Sequence, residues 1–429
     1  MKYQAIDNTL FIENRKKLSS LLPQNALAIF NANDIMPTNA DGTMGFQQNS
    51  DLFYLTGIDQ EETLLLIFPN HPDPKKREIL IIKETSEQIA IWEGYKYTKE
   101  HAREVSGIQT VYWTSQMEAV LNDVVFETNN IFLNLNEHSR NSSTVQSRDR
   151  RFIDFIKDKY PLHTLHRAAP IMHQLRATKN NIEIDLIKKA ADITAKGFNR
   201  LLDFVKPNVT EYEIEAELIH EFIRNRSKGF AYQPIIASGA NACVLHYIEN
   251  NQVCKDGDLI LLDVAAEYAN YNSDLTRTIP VNGRFSPRQK QVYKAVYNTF
   301  RFAESILTVG QIWNEYQKEV EAYMEGQLID IKLLSKNDVD KQNKENPLLK
   351  KYFMHGTSHH LGLDVHDVGN RYRKFEAGMV FTIEPGIYIR EEGLGIRLEN
   401  NFVITPTGNT DLMANIPIEL EHIEELMNK

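Results

Sequence analysis

The stretch GDLILLDVAAEYANYNSDLTRTIPV, Gly257 to Val281, limits what this chain can fold into more than any other. Leu259–Val264 is a continuous apolar run, the mark of a buried strand, and it carries one carboxylate, Asp263. A carboxylate inside a buried strand is costly unless something compensates it. AEYANY follows as a turn candidate, and Ser273–Ile279 reads as a second strand. A hairpin centred between Tyr268 and Ala269 sets Asp263 opposite Asp274 across the ladder. Facing like charges destabilise a sheet, and a cation between them reverses that sign. The plainer alternative, one solvent-exposed and unimportant aspartate, stays open on this pair alone.

Two further segments put acids on apolar strands. In MVFTIEPGIYI, Glu384 ends a strand that Pro385 and Gly386 break. In GIRLENNFVIT, Arg397 and Glu399 are two apart and share a strand face, where an arginine keeps a carboxylate ionised and oriented. Each segment by itself also reads as an ordinary strand with an ion pair. Ahead of both lies HGTSHHLGLDVHDVG, His355 to Gly369, with four histidines and two aspartates spaced by glycines. Oxygen-rich ligation with a little imidazole suits Mn(II), Co(II) or Zn(II). Four carboxylates are too much charge for one such ion and fit two, which together hold a bridging hydroxide near neutral pH as a nucleophile for carbonyl attack. Histidines left over are candidates for oxyanion donors or proton carriers. Rival chemistries are weaker: GxSxG, P-loop, GxGxxG and HExxH patterns do not occur in a suitable context, and Cys243 near His246 has no further support as a nucleophile.

A chain of 429 residues is long for one core, so two domains are expected. ALAIF, TLLLIF and EILII in the first third are short β-type runs among turn-rich stretches, an α/β domain ending near residue 168. The second domain, 169–429, opens with helical periods over Ile182–Leu202 and Glu211–Arg224, continues in strands from Asp258, and returns to helix at Arg288–Leu307. Lys336–Lys351 reads as a polar surface loop. The net charge of −10, with no basic stripe, argues against a nucleic-acid partner. Two cysteines are no disulfide framework and fit a reducing compartment. MKYQAIDNTLFIENRKK has no apolar core of a signal peptide, and the longest apolar runs fall far short of a membrane helix, so a cytoplasmic protein without a membrane partner is expected.

VLHYIEN, LLDVAAEYANYNSDLTRTIPVNGRF, HGTSHHLGLDVHDVG, TIEPGIYI and GIRLENNFVIT resemble, in order, the motifs of the metal-dependent pita-bread peptidases. The family most resembled is aminopeptidase P, the Xaa-Pro aminopeptidases; FQQNSDLFYLTG, Phe46 to Gly57, is similar to its first-domain segment. The resemblance spans nearly the whole chain. It implies an α+β fold, with an N-terminal creatinase-like α/β domain and a C-terminal pita-bread domain whose curved, mainly antiparallel sheet is backed by helices. It implies two divalent ions, usually Mn(II), held by Asp263, Asp274, His359, Glu384 and Glu399, with Asp274 and Glu399 bridging both. Glu384 would also relay a proton to the leaving imide nitrogen. His246, His355 and His366 would serve the substrate carbonyl, His366 above all, with Arg397 supporting the ligands and Tyr388 lining the pocket. The glycines would let backbone lie close to the metals, and His360 would be structural. IWEG, Ile91 to Gly94, resembles a segment that supplies a tryptophan to a neighbouring subunit's active site, which makes Trp92 a pocket wall in a homo-dimer or homo-tetramer or, in the plainer reading, core. Asp41 would be an interface acid. Gln47 and Ala266 depart from the family's usual residues without touching the ligand set.

The resemblance implies hydrolysis of the bond before proline at the N-terminus of peptides. A prolidase, restricted to Xaa-Pro dipeptides, carries nearly the same C-terminal motifs; QNSDLFYLTG and the serine of GTSHH favour the aminopeptidase. A scaffold that has lost catalysis should have lost a ligand, and all five positions carry competent side chains. A methionine aminopeptidase leaves the large first domain unexplained.

Overall fold

The computed structural model describes residues 3–429. The backbone gathers into two compact units, Ala5–Arg176 and Ala177–Lys429, the latter together with Tyr3 and Gln4. The three apolar runs of the first third are strands β1 (Ala26–Asn31), β2 (Leu64–Ile67) and β3 (Glu78–Ile82). With β4 (Thr110–Trp113), β5 (Asn130–Leu133) and β6 (Thr164–Arg167) they form a sheet in the order β4-β3-β2-β1-β5-β6. β1 runs parallel to β5 and antiparallel to β2. β1 and β2 are buried along their whole length, as unbroken apolar runs require, and Leu27, Ile29, Leu66 and Ile81 pack with Leu121, Val124 and Ile156.

The second unit opens with two helices, Asn181–Phe204 and Glu211–Arg224, that pack on each other. Each starts in a reciprocal cap, Asn180 with Glu183 and Thr210 with Glu213, so helical periodicity and start signals agree. Leu186, Ile187, Ala190, Ala191 and Thr194 bury one stripe, and Ile214, Leu218 and Phe222 the other. Strands β7 (Ile235–Ser238), β8 (Leu259–Asp263), β9 (Glu267–Tyr268), β10 (Tyr271–Asn272) and β11 (Thr276–Pro280) come next. β12 (Val380–Ile383), β13 (Gly386–Ile389), β14 (Leu394–Arg397), β15 (Asn400–Thr405) and β16 (Gly408–Asp411) follow the helical middle of the unit. Strand pairing in this unit is antiparallel among the described residues, and a bridge between Thr276 and Glu399 joins the β7-β8-β11 sheet to the segment entering β15. The fold is thus α+β, with an antiparallel, helix-backed second unit.

The hairpin register differs from the expected one by two residues. Tyr268 pairs with Tyr271 and Asp263 with Thr276, so the turn is Ala269–Asn270 rather than centred one residue earlier. Both turn residues have positive φ, 54° and 66°, the geometry of a tight hairpin whose twist suits the strands. Asn adopts that conformation readily and Ala does not, which is why the sequence did not mark Ala269. Asp274 therefore sits diagonal to Asp263, still on the same face. Two further departures are local. Lys336–Lys351 contains a short helix, Lys336–Asp340, and a 3-10 turn, Leu348–Lys351. An unexpected helix, Trp313–Asp330, buries only Tyr316, Val320, Met324 and Leu328, a stripe too narrow to stand out among its charges. No helix of the described residues is long and apolar enough to cross a membrane.

Candidate metal centre

The His-rich segment is held in place by β12. His359 carbonyl oxygen accepts from Thr382 N (3.0 Å), Leu361 N donates to Val380 O (3.1 Å), and Glu384 N donates to Thr357 O (2.7 Å). These bonds run the segment antiparallel to the strand, so His359 and Glu384 emerge together. β8, β11 and the β14–β15 junction bring Asp263, Asp274, Arg397 and Glu399 to the same place. Ligand atoms of Asp274, His359 and Glu399 all lie within 4.8 Å of one another, and all three residues are buried. His359 Nε2 is 3.3 Å from Asp274 Oδ2 and 3.7 Å from Glu384 Oε1.

The tautomer of His359 follows from its partners. Nδ1 lies 2.9 Å from the His360 carbonyl oxygen, which can only accept, so Nδ1 carries the proton. In the neutral form of the ring Nε2 is then the nitrogen with the lone pair, and it faces two carboxylates. Burial alone pulls the His359 imidazolium down, but Asp274 and Glu384 push its pKa above the ordinary value. The acids respond in the same sense. Burial, then the neighbouring acids Asp274, Glu384 and Asp263, hold Glu399 well above the usual carboxylate range. Burial likewise raises Glu384 and Asp263, with Arg397 opposing the shift at both. Glu399 accepts from Thr276 Oγ1 at 2.7 Å through Oε2, whereas its Oε1 is buried with no hydrogen-bond partner. An orphaned carboxylate oxygen beside a bare imidazole nitrogen and two further acids is a donor set that a divalent cation completes.

A network of neutral and cationic donors holds this set in shape. All three Arg397 side-chain nitrogens are engaged: Nε donates to Thr276 Oγ1 (3.1 Å), one terminal nitrogen to Tyr388 Oη (2.7 Å) and the other to Asp263 Oδ2 (2.5 Å). Arg397 thus ion-pairs with Asp263 directly and reaches Glu399 only through Thr276. Tyr232, which sequence reasoning passed over, lies with its hydroxyl 2.6 Å from an oxygen of both Asp263 and Asp274. Burial and then these two acids hold its phenol well above the ordinary value, so it stays a donor. A lone tyrosine in GFAYQP carries no signal of this; only knowledge that the chain folds back on β8 would have found it.

The remaining histidines fall into different environments. His355 Nδ1 faces Gly356 O at 2.8 Å, so its Nε2 accepts from the Tyr388 hydroxyl at 2.8 Å. Burial, then Arg397, pushes His355 down to about 3, and burial raises Tyr388 to about 12; the imidazole stays neutral and the phenol protonated. His366 is exposed, and its ring meets that of His359 edge-on at 4.4 Å between centroids. His246 is exposed beyond the turn Gly239–Cys243. His360 is buried against Trp313 and Phe381 and pushed down to about 3 by burial and then by Lys179. Two glycines of the segment make room for side chains: a Cβ at Gly369 would lie 2.1 Å from His360 Nε2, and one at Gly362 2.3 Å from Asp367 Oδ2. In the first unit, Trp92 is 85% exposed beside Ile91 and Tyr95, so it is not core. Asp41 is exposed as well. Cys243 and Cys254 are both free and buried.

Residues 185–406 match the model of metallopeptidase family M24, and residues 11–132 match the N-terminal domain of aminopeptidase P. The Xaa-Pro aminopeptidase of Haemophilus influenzae is 33% identical, with 97% of this chain and 97% of that protein covered. Aminopeptidase PepP of Pseudomonas aeruginosa superposes with a TM-score of 0.89 at 31% identity, covering 99% of this chain and 98% of that one. An Escherichia coli aminopeptidase P variant, solved in complex with substrate, superposes with a TM-score of 0.88 at 30% identity, covering 99% of each chain.

Proposed function

This chain belongs to metallopeptidase family M24, in its aminopeptidase P branch, and from that premise we propose that it removes the first residue from peptides with proline in second position. The observation that carries the reading is the buried, unpartnered Oε1 of Glu399, set beside His359 Nε2 and the acids of β8 and β11. In this reading Asp263, Asp274, His359, Glu384 and Glu399 would hold two divalent ions, Mn(II) first, with Co(II) or Zn(II) as substitutes. Bound there, such ions would supply Lewis acidity to the substrate carbonyl and to a water near neutral pH.

The chain's own residues do the rest. Glu384, facing His359 Nε2 at 3.7 Å on the open side of the cluster, would take the proton that leaves the water and return it to the imide nitrogen as the bond breaks. His366, exposed and edge-on to His359, donates to the oxygen of the tetrahedral species. On the family resemblance, His246 would line the same mouth. Arg397 gives its nitrogens to Asp263, Thr276 and Tyr388, so its role is to keep ligands ionised and placed. Tyr388 and the neutral His355 form the adjoining wall. A bond before proline is a tertiary amide without an N–H, so a site that recognises substrate by imidazoles and ring faces accepts it where an N–H-reading protease fails.

Trp92, exposed with Ile91 and Tyr95, fits the proposal of a homo-dimer or homo-tetramer in which this apolar group meets another subunit. Two free, buried thiols fit a cytoplasmic setting. The deciding experiment strips the protein with chelator, restores Mn(II), and offers Ala-Pro-Ala and Ala-Pro side by side. Metal-dependent cleavage of the tripeptide is the expected result. Cleavage of the dipeptide alone identifies a prolidase, and cleavage of neither refutes the reading.

A further inference from the structure

We infer that Lys179 is a positioning residue for the His359 imidazole and the His366 loop, acting through a buried ion pair with Asp367. Lys179 Nζ stands 2.9 Å from Asp367 Oδ2, and each side chain is only 1% exposed. No hydrolytic step calls on a cation there, and a buried pair is an expensive way to stabilise a fold, often no better than apolar side chains of the same size. What the pair does is fix where one stretch of backbone lies.

The chain of contacts is short. Lys179 is anchored by its own amide, which donates to Gly378 O at 2.9 Å, just ahead of the cap that opens the helix Asn181–Phe204. Asp367, held by the ammonium, donates its backbone N–H to the His360 carbonyl oxygen at 2.9 Å. That same oxygen accepts from His359 Nδ1 at 2.9 Å, the contact that aims Nε2 at Asp274 and Glu384. Asp367 also follows His366 directly in sequence, so its placement sets where that exposed imidazole hangs. Groups that orient a ligand imidazole through its second nitrogen typically matter for affinity and activity by about 10- to 100-fold. Gly362 protects the arrangement: a Cβ there would sit 2.3 Å from Asp367 Oδ2 and 2.9 Å from Lys179 Cε, wedging the pair apart.

The inference rests on the metallopeptidase reading, and two variants test it by independent routes. Lys179→Met removes the charge; Gly362→Ala leaves both charges and inserts a methyl between them. For each, far-UV circular dichroism reports the fold, and Mn(II) released to a competing chelator, followed by the paramagnetic resonance of the free ion, reports affinity. Steady-state kinetics on Ala-Pro-Ala separate kcat from KM. Expected is parental circular dichroism, Mn(II) affinity weakened about 10- to 100-fold, and a fall in kcat larger than any rise in KM. Should Lys179→Met fail to fold, Gly362→Ala decides by the same criteria. Folded variants with parental Mn(II) affinity and kcat overturn the inference alone. A parent protein that takes up no Mn(II) instead overturns the metallopeptidase reading, and this inference falls with it.

Discussion

Both units of this protein bury carboxylates beside apolar strands, and they treat them in opposite ways. In the first unit Asp149 accepts from Asn31 Nδ2 at 3.0 Å, while nearby Asp51 accepts from Arg176 at 2.8 Å and from Asn134 Nδ2 at 3.0 Å. Each acid meets amide or guanidinium donors, and what charge remains costly at Asp149 is met by a proton, its pKa pushed up to about 7 by burial. In the second unit the acids face one another and an imidazole. Donors approach them from behind, as Thr276, Arg397 and Tyr232 do, and leave the inner side open. The contrast teaches that burial and a raised pKa do not by themselves mark a functional centre. The arrangement does: the unmet acceptors beside Asp149 and Asp51 are the single amide oxygens of Asn31 and Asn134, whereas Glu399 Oε1 is a carboxylate oxygen set among further acids and the His359 imidazole.

The strongest break in the comparison is at Asp274. Asp274→Asn removes one charge from the open cluster and should abolish metal retention, measured by elemental analysis, with a loss of turnover on the order of 1000-fold or more. Normal metal content in that variant refutes the ligand assignment. Next in size, His366→Ala should keep its metal and lose turnover by about 100-fold, as removal of an oxyanion donor does. Unchanged turnover would make His366 structural. Smaller but more telling is Glu399→Gln, because its sign should reverse. In chelator, replacing a buried, repelled carboxylate should raise thermal stability, on the order of 2 kcal/mol. With saturating Mn(II) the parent should be the more stable protein, since it binds the ion more tightly than the variant does. An effect of one sign in both conditions would mean that the open side is not a cation site.

How much of this could be read from the chain depends on which physical signal each residue gives. Asp263 was legible because an acid inside LILLDV violates the burial rule of a strand. Asp274 came with it through hairpin logic that survived a register error of two residues, because a shift of two preserves the face. The error itself came from Ala269, whose positive φ no composition rule foretells. His359 could be told from His355, His360 and His366 only by resemblance, since four imidazoles in one glycine-spaced segment look alike until β12 orders them. Tyr232 and the Lys179–Asp367 pair gave no local signal at all. Their partners lie 31 or more residues away in sequence, and only the tertiary fold brings them into contact.

The last prediction sharpens the comparison from the first unit. Asp149 titrates near 7 in the folded chain against an ordinary 3.8, so the native state binds the extra proton between those values. An acid whose folded pKa is raised contributes stability that is fully present below pH 3.8 and is lost as pH rises through about 7. Asp149→Asn keeps an acceptor for Asn31 and removes the titration. Near pH 4, where Asp149 carries its proton and is as neutral as an asparagine, the variant should match the parent. At pH 8 the variant should be the more stable, by roughly 3 kcal/mol, once the favourable interaction of the ionised carboxylate with the N-terminus of the helix Arg148–Lys159 is subtracted. Urea denaturation at the two pH values, with and without Mn(II), separates the two regions. The gain at Asp149 should be indifferent to the ion, whereas that at Glu399 should invert with it. A gain at position 149 that does not change between pH 4 and pH 8 would mean that the proton is not what settles this acid, and the contrast between the two clusters would need another cause.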